Sequence, residues 1–227
     1  MQYNSFYFLH IPKTGGRFLK RYLIPHISKN LKIIEGEDRH GGWDKNIDDN
    51  TYILSALRDP IKLICSLYIH LVTIRLDLLI NDSISHLNIK NVNLDKKYFL
   101  QWIEKATEYH NIQSKNILIS GPVFDKLYEF SIFKKIDIKT LEKRIDRINF
   151  IVDQDYMMKN PDYVFSKICY DLNIEKPTIV NDITTYSNIG SKILYDKLDE
   201  NDKNKISKYF DVDYMIYNKI RGDQNNG

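Results

Sequence analysis

Tyr7-Phe8-Leu9-His10-Ile11-Pro12-Lys13-Thr14-Gly15-Gly16-Arg17-Phe18-Leu19 is the stretch that decides the fold. A short apolar run ends in a Pro-Lys-Thr-Gly-Gly turn, and a helical pattern begins directly behind it. Strand, turn and helix in that order place the turn at a sheet edge. Two glycines let the backbone fold tightly without Cβ clashes. The helix that follows directs its free N–H groups and positive dipole end toward the turn. With Lys13 and Thr14 beside them, the natural guest is a phosphate or sulfate group.

The same order recurs in Tyr52-Ile53-Leu54-Ser55-Ala56-Leu57-Arg58-Asp59-Pro60-Ile61-Lys62-Leu63-Ile64-Cys65-Ser66-Leu67-Tyr68. Residues 52–57 suit a buried parallel strand. Asp59 is a good N-cap and Pro60 falls at the first helical position, where its missing N–H costs nothing. Ile64, Leu67, Leu71, Ile74 and Leu78 continue at helical spacing. Arg58 therefore sits where the strand ends, and Ser66 about two turns into the helix. An arginine fork suits a phosphate through paired hydrogen bonds; capping a helix or pairing with Asp59 is the plainer use.

The first turn is not a Walker A loop, because G-x-x-x-x-G-K-[ST] occurs nowhere in the chain. His-Ile-Pro-Lys-Thr-Gly-Gly instead resembles the 5′-phosphosulfate loop of sulfotransferases that use 3′-phosphoadenosine 5′-phosphosulfate (PAPS). The likeness is to the carbohydrate branch typified by heparan sulfate 2-O-sulfotransferase. Arg-Asp-Pro followed by Ser66-Leu67-Tyr68 is similar to the 3′-phosphate site of the same enzymes. Weaker likenesses run through His110-Asn111-Ile112-Gln113-Ser114 and on to Gly121, with one residue more than the family pattern, through Phe150-Ile151-Val152-Asp153 with the helical 160–172, and through Asp211 to Tyr217. Together they cover most of residues 5–220, but only the two phosphate sites are specific.

The resemblance implies a sulfotransferase that moves the sulfuryl group of PAPS to an acceptor hydroxyl on a saccharide. Lys13 would then carry positive charge to the bridging oxygen between sulfate and 5′-phosphate. Pro12, Lys13, Thr14, Gly15, Gly16 and Arg17 would form the 5′-phosphate cradle. Arg58 and Ser66 would hold the 3′-phosphate. Arg17 departs from the family, which has Thr or Ser there; it replaces a hydroxyl with charge or points to solvent. For the general base the choice is His40, in a Gly-rich segment after the second strand where this branch places its catalytic His. An imidazole near neutrality can take a hydroxyl proton. Glu37 and Asp38 are the reserves. Ser191 and Lys192, in the polar loop 185–192, are candidate 3′-phosphate or adenine contacts, or ordinary surface residues. His70, on the 61–80 helix, reads as a core histidine, and His10 as a structural one. No Cys/His or carboxylate cluster has metal-ligand spacing, so no metal is expected.

Strand candidates at 6–11, 31–35, 52–57 and 149–153 alternate with helical patterns. This predicts an α/β fold: a P-loop-like parallel sheet with helices on both faces, in a single domain over 1–221, with 222–227 a frayed tail. The polar stretch 81–94 reads as a loop near the acceptor site. A helix carrying Phe99, Trp102, Ile103 and Ala106 begins at Asp95. Of 227 residues 43% are hydrophobic, which suits a globular chain, and a net charge of +3 is too small to argue for nucleic acid or an anionic membrane. The apolar stretch 61–80 contains Lys62, His70, Arg75 and Asp77, so it reads as a core helix. Cys65 and Cys169 read as buried free thiols, which suits a cytoplasmic location. A small-molecule kinase using ATP, or a nucleotide-binding module without catalysis, are the competing functions. The acceptor and the oligomeric state are not legible.

Overall fold

The structure is a computed structural model, describing residues 3–34, 42–79, 94–120, 135–177 and 189–225. Four parallel strands form its centre: β1 (Ser5–Leu9), β2 (Lys32–Ile34), β3 (Thr51–Leu57) and β4 (Phe150–Asp153), in the order β2-β1-β3-β4. β1 and β3, the two central strands, are buried along their whole length and read as near-continuous apolar runs, as strands covered on both faces do. Side-chain alternation divides their contacts. Tyr7, Leu9, Ile53 and Leu57 join one core cluster; Phe6, Phe8, Tyr52, Leu54 and Ala56 join the other. The sheet is therefore flanked by helices on both faces.

One face is covered by α1 (Gly16–Tyr22), the short α2 (Ile24–Ile27), α7 (Gln154–Lys159) and α8 (Pro161–Leu172). The other is covered by α3 (Pro60–Leu79), α4 (Lys96–Lys105), α5 (Ile112–Leu118), α6 (Ile138–Arg147), α9 (Ile189–Asp196), α10 (Glu200–Ser207) and α11 (Asp211–Asn225). Aspartates cap several of them, Asp59 among them as the sequence suggests. Asp59 Oδ1 accepts from Lys62 N at 2.9 Å, Asp95 from Lys97 N at 2.8 Å and Asp153 from Tyr156 N at 2.8 Å. Among the described residues no helix is long and apolar enough to cross a membrane. Cys65 and Cys169 are free and buried.

Three expectations change. β1 ends at Leu9 instead of Ile11, because the Ser55 hydroxyl donates to the Leu9 carbonyl at 3.0 Å and the chain turns away there. The polar stretch expected as a loop at 185–192 is already helical from Ile189, which puts Ser191 and Lys192 in α9. The tail expected from Gly222 is helical as far as Asn225. Residues 81–93 of the expected loop lie outside the described residues.

A buried carboxylate ties the C-terminal helix to the rest. Asp213 Oδ1 accepts from Ser114 N at 2.8 Å and Ser114 Oγ at 2.6 Å, and Oδ2 accepts from Gln113 N at 3.0 Å. Its own N–H donates to Asn111 Oδ1 at 3.0 Å. Gln113 passes the connection on. Its Oε1 accepts from Arg58 N and its Nε2 donates to Arg58 O, both at 2.9 Å. The likenesses at 110–114 and 211–217 thus meet in one brace that holds the end of β3.

Complete burial outweighs these hydrogen bonds and raises the Asp213 pKa from 3.8 to about 6. A folded-state value above the unfolded one means the folded state binds the proton more tightly. The Asp213 contribution to stability is therefore largest below roughly pH 4 and is lost as pH rises toward about 6. Urea unfolding at a series of pH values between these limits should show a slope in the wild type that flattens in Asp213→Asn. Parallel curves for the two proteins would contradict the assignment.

Candidate anion site

Because β1 and β3 are adjacent and parallel, the turns that follow them emerge side by side. The first turn is held in an unusual backbone. Lys13 adopts φ 67° and Gly15 φ 91°, both left-handed. Such a conformation costs a non-glycine residue roughly 1–2 kcal/mol, so Lys13 is held there by its surroundings. Thr14 is fully buried, and its hydroxyl donates to Ile11 O at 2.8 Å, so that side chain closes the turn from within. Pro12 is buried beside it and Arg17 is exposed.

The two glycines serve different needs. Gly15 supplies the positive φ. Gly16 supplies space: a Cβ there would lie 1.9 Å from His10 Nε2 and 2.2 Å from His10 Cδ2. His10 has little room to retreat, since its ring is buried and stacked on Phe8 with centroids 5.2 Å apart. On the other side of the turn, Gln154 Cγ and Met157 Cε close in on Gly15. The turn is thus packed between the His10 ring below and the start of α7 beside it.

Three cations converge around it. Burial is the first cause that lowers the Lys13 pKa, and the charges of Arg17 and Arg58 follow. Neither Lys13 Nζ nor the Arg17 guanidinium has a hydrogen bond or ion pair among the described residues. Arg58 Nη1 donates to the Lys13 carbonyl at 3.3 Å, which joins the two turns directly. Its Nε is buried without a hydrogen-bond partner. Burial lowers the Arg58 pKa, against the pull of Asp155, Cys65, Asp59 and Asp153. The acid with the strongest pull is engaged elsewhere, as Asp155 is ion-paired with Lys62. The Arg58 charge in turn acts on the Cys65 thiol of α3, and Ser66, the next residue of that helix, is buried.

The described structure therefore brings Pro12, Lys13, Thr14, Gly15, Gly16, Arg17 and Arg58 to one edge, with Ser66 on the adjoining helix. Among the described residues, Arg58 neither caps a helix with its side chain nor forms an ion pair with Asp59. Ser191, buried, and Lys192, exposed, stand in the first turn of α9, which packs on α3. His40, Glu37 and Asp38 lie outside the described residues. Three contributors were not read from the sequence as part of the site: His10 as the ring under Gly16, Gln113 as the clamp on Arg58, and Gln154 against Gly15. Gln154 Oε1, like Arg58 Nε, is buried with no hydrogen-bond partner.

What this arrangement offers chemically is positive charge for an anion. A pair of like charges a few ångströms apart costs on the order of 1–4 kcal/mol at the effective dielectric of a protein surface, and a bound anion removes that cost. In comparisons with known proteins, the chain matches no family model and no curated protein.

The packing of Gly16 on His10 is testable. Gly16→Ala should destabilise the protein by roughly 1–3 kcal/mol through overpacking, measured by denaturant unfolding. The double variant Gly16→Ala/His10→Ala should recover part of that loss, a non-additivity that marks direct contact. Simple additivity of the two changes would show that the ring and the glycine do not compete for space.

Proposed function

We propose that the chain is a PAPS-dependent sulfotransferase built on a P-loop-like sheet, transferring the sulfuryl group to an acceptor hydroxyl on a saccharide. The observation that carries the reading is the meeting of Lys13, Arg17 and Arg58 at the ends of two adjacent parallel strands, with Lys13 and Arg17 unpaired among the described residues. A nucleotide with phosphates at its 5′ and 3′ positions is an anion of the required kind. The unsatisfied Arg58 Nε gives the second turn a donor with no internal use.

In this reading the turn 12–17 holds the 5′-phosphosulfate, with Lys13 at the bridging oxygen, and Arg58 and Ser66 hold the 3′-phosphate. Sulfuryl transfer, like phosphoryl transfer, passes through a loose in-line transition state. Its needs are positioning, a base for the nucleophile and positive charge where the leaving oxygen becomes anionic. Burial and the two arginines make the Lys13 ammonium easier to deprotonate than a free lysine. The same burial makes its charge act strongly on a developing oxyanion. Arg17 adds the charge that the departure from Thr or Ser brings. His40 is the base that the resemblance assigns, with Glu37 and Asp38 beside it, and Ser191 and Lys192 close the nucleotide from α9. The two buried free thiols suit a reducing compartment such as the cytoplasm.

Calorimetry on the wild type should rank 3′-phosphoadenosine 5′-phosphate above 5′-AMP and above ATP with magnesium. ATP bound as well as or better than the 3′-phosphorylated nucleotide would favour a kinase and overturn the proposal. Lys13→Ala should reduce sulfate release from PAPS by about 100-fold or more, with a smaller loss in nucleotide affinity, because its charge acts mainly on the leaving oxygen. An unchanged release rate would remove Lys13 from the chemistry. Nucleotide binding without sulfate release even in the wild type would point to the non-catalytic module.

A further inference from the structure

We propose that Gln113 is a positioning residue for the 3′-phosphate: anchored by the C-terminal helix, it fixes both backbone polar groups of Arg58 and so aims the guanidinium at that end of the nucleotide. This rests on the sulfotransferase reading and deepens it.

The argument starts at the end of β3. Its pairing with β4 runs as far as Leu57, opposite Asp153. Arg58, the next residue, lies beyond the ladder, yet one side chain takes up both of its backbone groups. Gln113 Oε1 accepts from Arg58 N and Gln113 Nε2 donates to Arg58 O, both at 2.9 Å. Two bonds to one planar amide fix the peptide units on either side of the Arg58 Cα. They therefore fix the direction in which its side chain leaves the backbone. At the other end of that side chain, Nη1 donates to the Lys13 carbonyl at 3.3 Å. The guanidinium is thus held at its root and at one prong, while the buried Nε has no hydrogen-bond partner. A buried donor left without a partner is unfavourable, and a bound phosphate oxygen supplies what it lacks.

Gln113 is held as firmly as the residue it holds. It is fully buried, and its own N–H donates to Asp213 Oδ2 at 3.0 Å. Two residues earlier, Asn111 stands at the N-cap of α5 with a left-handed φ of 49°. Both ends of the Asn111 amide are bonded to the start of α11. Its Oδ1 accepts from Asp213 N and its Nδ2 donates to Asp211 Oδ1, each at 3.0 Å. Asn111-x-Gln113 and Asp211-x-Asp213 therefore interlock. A strained residue and a buried carboxylate converge on the one point from which Gln113 reaches Arg58, and over-determined geometry of this kind is concentrated at functional sites.

The connectivity gives the role a signature. Among the described residues the Gln113 side chain bonds to Arg58 only. The first turn has supports of its own, the Thr14 bond to Ile11 O and the His10 ring against Gly16. Loosening Gln113 should therefore be felt at the 3′-phosphate and hardly at the 5′ end.

The test measures affinities of 3′-phosphoadenosine 5′-phosphate and of 5′-AMP by calorimetry. The proteins are the wild type, Gln113→Ala, Gln113→Glu, Arg58→Ala and each Gln113 change combined with Arg58→Ala, all checked by urea unfolding. Gln113→Ala removes both bonds to Arg58. Gln113→Glu keeps the shape and the acceptor but places an oxygen against the Arg58 carbonyl, and it carries the test if the alanine variant does not fold. Each single Gln113 change should weaken the 3′-phosphorylated nucleotide by roughly 10-fold and 5′-AMP by about twofold or less, because a charged fork that loses its aim loses its contact. With Arg58 already replaced, the Gln113 changes should have no further effect on the 3′-phosphorylated nucleotide, the non-additivity of a residue that acts through another. Equal losses for both nucleotides, an undiminished preference in the folded Gln113 variants, or a Gln113 effect that persists without Arg58 would overturn the assignment. A wild type that does not prefer the 3′-phosphorylated nucleotide is a separate result and would sink the sulfotransferase reading itself.

Discussion

The parallel pairing of β1 with β3 is the constraint on which the rest depends. It runs in continuous register from Ser5 opposite Thr51 to Leu9 opposite Ser55. Neighbouring strands in a sheet lie about 4.8 Å apart, so the turns that leave them have no choice but to be neighbours. One turn carries Lys13 and the other Arg58, and the contact from Arg58 Nη1 to the Lys13 carbonyl is the direct consequence. A register slip of one residue would send the apolar set of either strand to the wrong core and part the turns.

Holding three cations together is unfavourable for folding, and so is a left-handed Lys13. The structure offsets these costs with rigid surroundings. Thr14 closes the first turn from inside, and the His10 ring fills the space that only Gly16 leaves open. The end of β3 is held by the pair of hydrogen bonds between Gln113 and the Arg58 backbone. Asp213 fixes Gln113 in its turn, so the C-terminal helix bears on the end of β3 through Gln113. Strain and unpaired charge are concentrated at one sheet edge, where a ligand can relieve them.

Much of this was legible in the chain. Both strand–turn–helix units, the Asp59 cap and the four strands follow from periodicity and turn chemistry acting over a few residues. What was not legible depends on contacts across long separations. Gln113 lies in a stretch noticed for its resemblance, yet its partner is 55 residues away in sequence and nothing local announces the clamp. Gly16 reads as a flexible turn residue, whereas its smallness matters because an imidazole lies against it. Ser191 and Lys192 follow a polar stretch that masks the start of α9, whose formation depends on packing against α3.

The central claim is that the two turns grip opposite ends of one nucleotide, and a ligand-by-variant thermodynamic cycle tests it most directly. Affinities of 3′-phosphoadenosine 5′-phosphate and of 5′-AMP would be measured for the wild type and for Arg58→Ala. The account predicts that Arg58→Ala weakens the 3′-phosphorylated nucleotide by roughly 10-fold or more and leaves 5′-AMP nearly unchanged, since a charge-assisted contact of this kind contributes about 1.5–3 kcal/mol. Equal losses for both ligands, or none for either, would show that Arg58 does not read the 3′-phosphate and would contradict the account.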